Sequence, residues 1–193
     1  MTTRLHRRDV AKTLLHERGG LLVVAGLGST AWDITAAGDS PLSFPLWGAM
    51  GQAAMMGLGL ALAQPRRRVL VITGDGEMLM GIGSLATIGV QKPRNLAVVV
   101  VDNERYGETG MQATHTADGV DLAAVAAACG FRSSKKILKA QDLRKIVHET
   151  PGPNFLQIKV AADKLPLVLP PKDGVLLKER FRKALADVLA KKA

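Results

Sequence analysis

The run Leu96–Val101 is apolar at every position, Leu21–Ala25 is too, and Val69–Thr73 is apolar up to its last residue. A strand with one wet face alternates apolar and polar residues. A strand without that alternation is buried on both faces, as in a parallel sheet between helix layers. Helical stretches separate these runs. Arg4–Arg18 places Val10, Leu14 and Leu15 on one side. Ala31–Ala37, Ala49–Ala63, Glu77–Val90, Asp121–Cys129, Gln141–Glu149 and a last helix over 174–191 complete the set. Pro65, Pro93 and Gly130 stop three of them, and Asp121 stands at a start. Phe155–Val160 and a weak Lys136–Leu138 add two strands. Strand and helix in alternation predict an α/β fold, a doubly wound and mostly parallel sheet with helices on both faces. The remaining segments read as loops: Gly38–Trp47 with Pro41 and Pro45, the polar Glu104–Gly119, and the Pro-rich segment 162–173. Residues 1–193 are expected to form a single domain.

Composition narrows the partners. At 193 residues and 47% apolar content the chain can bury a core. Lys and Arg number 26 against 17 acids, a net charge of +9. That excess suits an anionic partner, or solubility alone. Aromatics are only 4%, too few for a surface that stacks bases, and the basic residues fall in short clusters at Arg7-Arg8, Arg66–Arg68 and Lys135-Lys136. No nucleic acid is expected. Leu46–Ala63 is apolar but carries four glycines and Gln52, short of the roughly 20 strongly apolar residues that cross a bilayer. No membrane partner is expected. Cys129 is the one cysteine, which excludes an intrachain disulfide and a cysteine-based zinc site. Met1–Val10 is charged and lacks an apolar signal core, so the expected location is cytoplasmic.

Ligands of an open parallel sheet bind at the carboxyl ends of its strands. Three such ends carry unusual loops: Gly26-Leu27-Gly28-Ser29-Thr30, Gly74-Asp75-Gly76, and Asp102-Asn103 through Gly107. The two glycines around Asp75 let the backbone turn tightly and a ligand approach closely. The helix that follows offers free N–H groups to an anion. Asn103 lies 28 residues after Asp75, at the next strand end. A carboxylate and an amide oxygen on neighbouring strand ends suit a hard divalent cation, with phosphate oxygens and water completing an octahedron. The bland alternative is that Gly-Asp-Gly is a turn and nothing more.

Gly74-Asp75-Gly76, a spacer and Asn103 resemble the cofactor motif of thiamine diphosphate-dependent enzymes. Leu46-Trp47-Gly48-Ala49-Met50-Gly51 resembles the segment that holds the aminopyrimidine ring in 2-oxo acid decarboxylases and acetolactate synthases. Gly81–Thr87, Asp102-Asn103, Tyr106-Gly107 and Thr109-Gly110 give a finer likeness to the diphosphate-binding part of sulfopyruvate and phosphonopyruvate decarboxylases. The likeness covers about residues 21–131.

The resemblance implies two cofactors, thiamine diphosphate and Mg²⁺. Asp75 and Asn103 would bind the metal through side-chain oxygens and Arg105 through its backbone carbonyl. Gly74, Gly76, Glu77, Tyr106 and Gly107 would line the cofactor, with N–H groups of Gly76 and Glu77 on the diphosphate. Ser29 and Thr30 would touch the same group. The Gly48 carbonyl would accept from the cofactor's amino group, and Met50 would enforce its bent shape; these two are the candidate catalytic positions. Two acids depart from the pattern. Glu77 stands where serine is common, so its carboxylate is expected to turn away from the ligand. Glu108 would disfavour a dianionic substrate if it faces the site.

Nothing in the sequence resembles the pyrimidine-binding domain that supplies the glutamate these enzymes need, and Glu17 has no suitable context. The implied function is the diphosphate-binding subunit of a split 2-oxo acid decarboxylase. A pyrimidine-domain α subunit would supply the glutamate, in a hetero-oligomer such as α2β2 or larger. A carboligase or 2-hydroxyacyl lyase on the same cofactor, and a non-catalytic regulatory subunit that keeps the fold, are the rival outcomes.

Other features carry plainer expectations. Gly26-x-Gly28-x-x-Ala31 fits a relaxed dinucleotide fingerprint, but Gly38–Trp47 shows no second strand to complete it. His115 reads either as a substrate-contacting residue or as a surface loop residue. Met55, Met56, Met78 and Met80 read as core, and Arg66–Arg68 as a solvated loop.

Overall fold

A computed structural model describes residues 4–137 and 143–190. Each apolar run is a strand: β1 (Leu22–Ala25), β3 (Val69–Gly74), β4 (Leu96–Asp102) and β8 (Asn154–Lys159). A short β2 (Ser43–Pro45) pairs with β1, and β7 (Ser133–Ile137) pairs with β8; within the segment read as the Glu104–Gly119 loop, β5 (Arg105–Tyr106) and β6 (Gln112–Ala113) pair as a short antiparallel ribbon. The other six strands run parallel in the order β2-β1-β3-β4-β8-β7. The expected strand Lys136–Leu138 therefore begins earlier; Leu138 lies outside the described residues, as do Gln141 and Lys191.

β2 corrects the reading of Gly38–Trp47 as a loop. Pro45 lacks an N–H, which an edge strand tolerates because its outer side has no ladder to complete. The strand was the feature missing from the dinucleotide fingerprint, so its absence no longer argues against that motif. The residues after β2 are Leu46 and Trp47, with no acid to hold a ribose.

Helices cover both faces, so the doubly wound α/β fold is as expected. On one face α3 (Ala53–Ala63), α4 (Asp75–Met80), α5 (Ser84–Gln91), α6 (Leu122–Ala128) and α8 (Gly174–Ala190) pack Leu58, Met78, Ile88, Leu122 and Phe181 against Val71, Val98 and Phe155. On the other face α1 (Arg7–Leu15), α2 (Ser29–Ala36) and α7 (Leu143–His148) pack Val10, Leu14, Ile34 and Val147 against Val23, Leu70 and Val99. Burying one such side chain stabilises by about 1.5–3 kcal/mol. The small residues of α3 have a cause: a β-carbon at Gly57 would stand 2.1 Å from Val71 Cγ2.

The expected helix Glu77–Val90 is two helices. Gly81, between α4 and α5, lies against the Gly51 carbonyl, which a β-carbon would approach to 2.1 Å. The break lets the Gly48–Gln52 loop seat on the end of α4. The expected helix Ala49–Ala63 starts only at Ala53, because Ala49 and Gly51 have left-handed φ of 55° and 86°. Of the four methionines read as core, only Met78 is buried; Met55, Met56 and Met80 are exposed.

Candidate active site

β1 feeds β2 on one side, while β3 returns to its other side. The strand order therefore reverses between β1 and β3, and such a reversal opens a crevice beyond the carboxyl ends. A cavity lies there. Its wall holds Ser29 and Thr30 from the start of α2, Gly74 through Glu77 from the β3–α4 junction, and Asn103, Arg105, Tyr106 and Gly107 after β4. Met50 reaches it from the loop seated on Gly81. Of the residues singled out by sequence, Gly48 is not in the wall; it is exposed two residues before Met50. His115 is also exposed and outside it.

Asp75 opens α4 and is 1% exposed. Thr114 Oγ1 donates to its Oδ2, and Thr116 Oγ1 donates to the same atom at 3.3 Å. Both bonds use one oxygen and leave Oδ1 to a ligand. Burial pushes the Asp75 carboxyl above its ordinary range, and Asp102 adds to the push, against the two threonine bonds. Asn103 Oδ1 accepts the Arg105 N–H at 2.9 Å, which folds the loop so that Asn103 and the Arg105 backbone share the cavity wall. A β-carbon at Gly74 would meet nothing within 4 Å, so the space beside the strand end is open.

Glu77 is 5% exposed and turns from the cavity centre to the end of β1. Its Oε2 accepts the Leu27 N–H at 3.0 Å and would overlap any β-carbon on Gly26. Burial pushes this carboxyl up as well, and Oε1 has no hydrogen-bond partner. Thr30 is similarly committed, its hydroxyl donating to the Gly26 carbonyl at 2.9 Å. Glu108 crosses the mouth to Gly28, where a β-carbon would meet its Oε1 at 2.3 Å.

Behind Asp75 lies a buried polar chain that sequence reasoning missed. The single Thr116 hydroxyl proton is shared with Asp102 Oδ1, the nearer acceptor at 2.8 Å, and Gln157 Nε2 donates to Asp102 Oδ2 at 2.6 Å. Lys159 Nζ lies 2.8 Å from both Asp102 and Glu104, and Arg4 2.9 Å from Glu104. Burial alone would lower the Lys159 pKa; the two acids outweigh it and raise it. A signal was present: Gln157 and Lys159 stand two apart among the apolar residues Phe155, Leu156, Ile158 and Val160, which puts both on one buried face. A second missed pair, Arg7 and Asp33, also lines the cavity, and Arg7 donates to the Asp33 carboxylate.

Asp75, Asn103 and Arg105 line the cavity together, and a carboxylate, an amide oxygen and a backbone carbonyl are the kinds of donor a hard cation takes. Among the described residues no three His, Cys, Asp or Glu side chains converge, so the set is not a zinc type. Neither Asp75 nor Glu77 has an ion pair among the described residues. Two buried acids at an open cavity thus lack a counter-cation, and a divalent ion at Asp75 would supply one. These residues fit a metal-held diphosphate.

The family model of the C-terminal binding domain of thiamine pyrophosphate enzymes matches residues 29–158. The chain belongs to this family. Its matched span begins at Ser29 and takes in the cavity wall after that point. Sulfopyruvate decarboxylase subunit beta of Methanothermobacter thermautotrophicus is 40% identical over 163 residues, 84% of this chain and 85% of that one. Phosphonopyruvate decarboxylase of Streptomyces viridochromogenes is 40% identical over 146 residues, 74% of this chain but 36% of its own. Among solved structures, a putative thiamin diphosphate-dependent enzyme from Mycobacterium smegmatis superposes with a TM-score of 0.70 at 22% identity, over 83% of this chain and 32% of that one. Benzoylformate decarboxylase from Polynucleobacter necessarius gives 0.67 at 20% identity, over 84% and 34%. These two likenesses bear on the fold. Among the described residues no helix is long and apolar enough to cross a membrane.

Proposed function

We propose that this chain is the diphosphate-binding subunit of a thiamine diphosphate- and Mg²⁺-dependent 2-oxo acid decarboxylase, a carboxy-lyase assembled from two kinds of subunit. The observation that carries it is Asp75: a buried carboxylate without a counter-cation, beside the Asn103 amide and the Arg105 carbonyl, at the point where strand order reverses. The subunit beta named among the relatives supports a divided enzyme. In this reading the whole chain is one diphosphate-binding unit in a cytoplasmic hetero-oligomer, α2β2 or larger.

Asp75, Asn103 and the Arg105 carbonyl would hold the metal beside the diphosphate. Gly76 and Glu77 offer backbone N–H groups to it, and Ser29 adds a hydroxyl. The Gly48 carbonyl and Met50 orient the aminopyrimidine end. When bound, the cofactor supplies the nucleophile and the electron sink for cleaving a keto carbon from its carboxylate. This chain positions it, and Tyr106 and Gly107 cover it. A glutamate that protonates the pyrimidine ring comes from the α subunit. Glu108 sets a negative charge at the mouth, which disfavours a dianionic 2-oxo acid and points to a singly charged one. The same charge keeps a carboligase or 2-hydroxyacyl lyase in view.

Calorimetry of thiamine diphosphate binding to the two-subunit complex in Mg²⁺ tests the assignment. Asp75→Ala should weaken binding by about 100-fold, the size of a lost charge-assisted contact to a metal-held anion. Unchanged affinity would remove Asp75 from the metal site. Product analysis with and without an aldehyde acceptor separates decarboxylation from carboligation.

A further inference from the structure

At the opposite end of the sheet, where the chain enters β1 and β3, lies a second cavity of about 550 Å³, against about 210 Å³ for the first. Arg18, Arg66, Arg67 and Arg68 line it, with His148 at the end of α7. The sequence reading took Arg66–Arg68 as a solvated loop. Only Arg66 is exposed; Arg67 and Arg68 are half-buried.

The hydrogen bonds these arginines make supply acceptors but no neutralising charge. Arg68 donates to the Ile146, Val147 and Thr150 carbonyls at the carboxyl end of α7. Arg18 donates to the Leu21 and Leu42 carbonyls and the Ser43 hydroxyl, and Arg67 to the Gly20 carbonyl. Carbonyls at a helix end carry only a fraction of a charge. Among the described residues no carboxylate lines the cavity, and none of the four arginines has an ion pair. Asp39, whose charge reaches Arg18, is itself bonded to Arg180 at 2.6 Å. Arg18 Nε and Arg67 Nη1 are shielded from water and have no acceptor. Four cations thus share one concavity without a counter-charge.

We propose that this cavity binds a multivalent oxyanion of the polyphosphate class, at a site separate from the cofactor cavity. The Arg66 guanidinium, which makes no hydrogen bond among the described residues, can fork onto two phosphate oxygens, while Arg18, Arg67 and Arg68 add charge beside it. No Phe, Tyr or Trp stands in the described lining, so nothing stacks a nucleobase and the compact anion is itself the ligand.

Titration calorimetry of the full chain with inorganic tripolyphosphate, in magnesium-free buffer, tests this, with amide NMR locating the site. Binding should shift amides at 18–21 and 66–68. The double variant Arg66→Gln/Arg67→Gln should weaken it by about tenfold or more. Arg66 has no side-chain hydrogen bond among the described residues, so Arg66→Gln alone should weaken binding without moving the thermal midpoint. Three results would each overturn the proposal: no binding, shifts confined to residues 26–30 and 75–77, or tighter binding of an oligoglutamate of equal charge. The second would assign the anion to the cofactor cavity, and the third would assign the surface to an acidic protein segment.

Discussion

The ring of Tyr106 lies on the α-carbon of Gly76: a β-carbon there would stand 2.6 Å from Tyr106 Cε1 and 2.7 Å from Cδ1. The contact ties the loop after β4 to the β3–α4 turn, the two segments that carry Asn103 and Asp75. Gly76→Ala must displace the ring. Overpacking of this kind costs about 1–3 kcal/mol, and it should also weaken cofactor binding by moving the Asn103 loop. Adding Tyr106→Ala removes the obstruction, so the double variant should melt above Gly76→Ala alone. Equal melting temperatures for the two would show that the ring yields freely.

Thr116 bridges two buried acids, Asp75 and Asp102. Thr116→Val keeps the shape and removes the one proton that the two carboxylates share. Leaving buried acceptors short of a donor costs about 1–3 kcal/mol, read as a lower denaturant midpoint with an unchanged slope. Thr114→Val removes the other donor to Asp75 and should cost a similar amount. The two threonines lie 3.0 Å apart, so the double variant should depart from the sum of the singles. Strict additivity would argue that the chain of bonds is not a unit.

Lys159 is the cation nearest to Asp102, which is fully buried. Lys159→Met strands that charge, and losing one partner of a buried pair typically costs about 3–5 kcal/mol. Asp102→Asn in the same chain should restore part of the loss. Chemical denaturation of the three variants measures it. A Lys159→Met chain as stable as the parent would mean that the pair adds nothing to stability.

His6 Nδ1 lies 2.6 Å from Asp163 Oδ2, and the bond and charge of Asp163 raise the imidazole pKa above its ordinary 6.5. Because the folded value is the higher one, the tether is complete below about pH 6.5 and is lost as pH rises past the raised value. It fastens the start of the Pro-rich segment, which Arg8 also holds at the Pro166 carbonyl and Trp47 at the Pro171 carbonyl. Protection of residues 161–173 against hydrogen exchange, relative to the intrinsic rate at each pH, should therefore fall as pH rises past the raised value. An NMR titration should place His6 above 6.5, and Asp163→Asn should bring it back. A midpoint indifferent to that substitution would dismiss the tether.

The sheet and the residues of the cavity wall were legible in the sequence because each is a local pattern. A strand buried on both faces is apolar wherever no polar partner meets it, and a backbone that a ring approaches closely needs glycine, so Leu96–Val101 and Gly74-Asp75-Gly76 announced themselves. Asp102, Thr114, Thr116, Gln157 and Lys159 did not, because a polar residue's partner is set by which strands become neighbours. Gln157 and Lys159 meet Asp102 only because β8 inserts beside β4, a choice made by packing among distant segments. The same holds for the break at Gly81, which exists because the Gly51 carbonyl occupies the space a side chain would need. It holds again for Arg66–Arg68, whose sequence suggests a wet loop. The sequence alone determined which residues had to be buried and where the chain could turn. The tertiary structure decided which buried charges and carbonyls would face one another, because electrostatic and hydrogen-bond energies depend on distances that chain order does not contain.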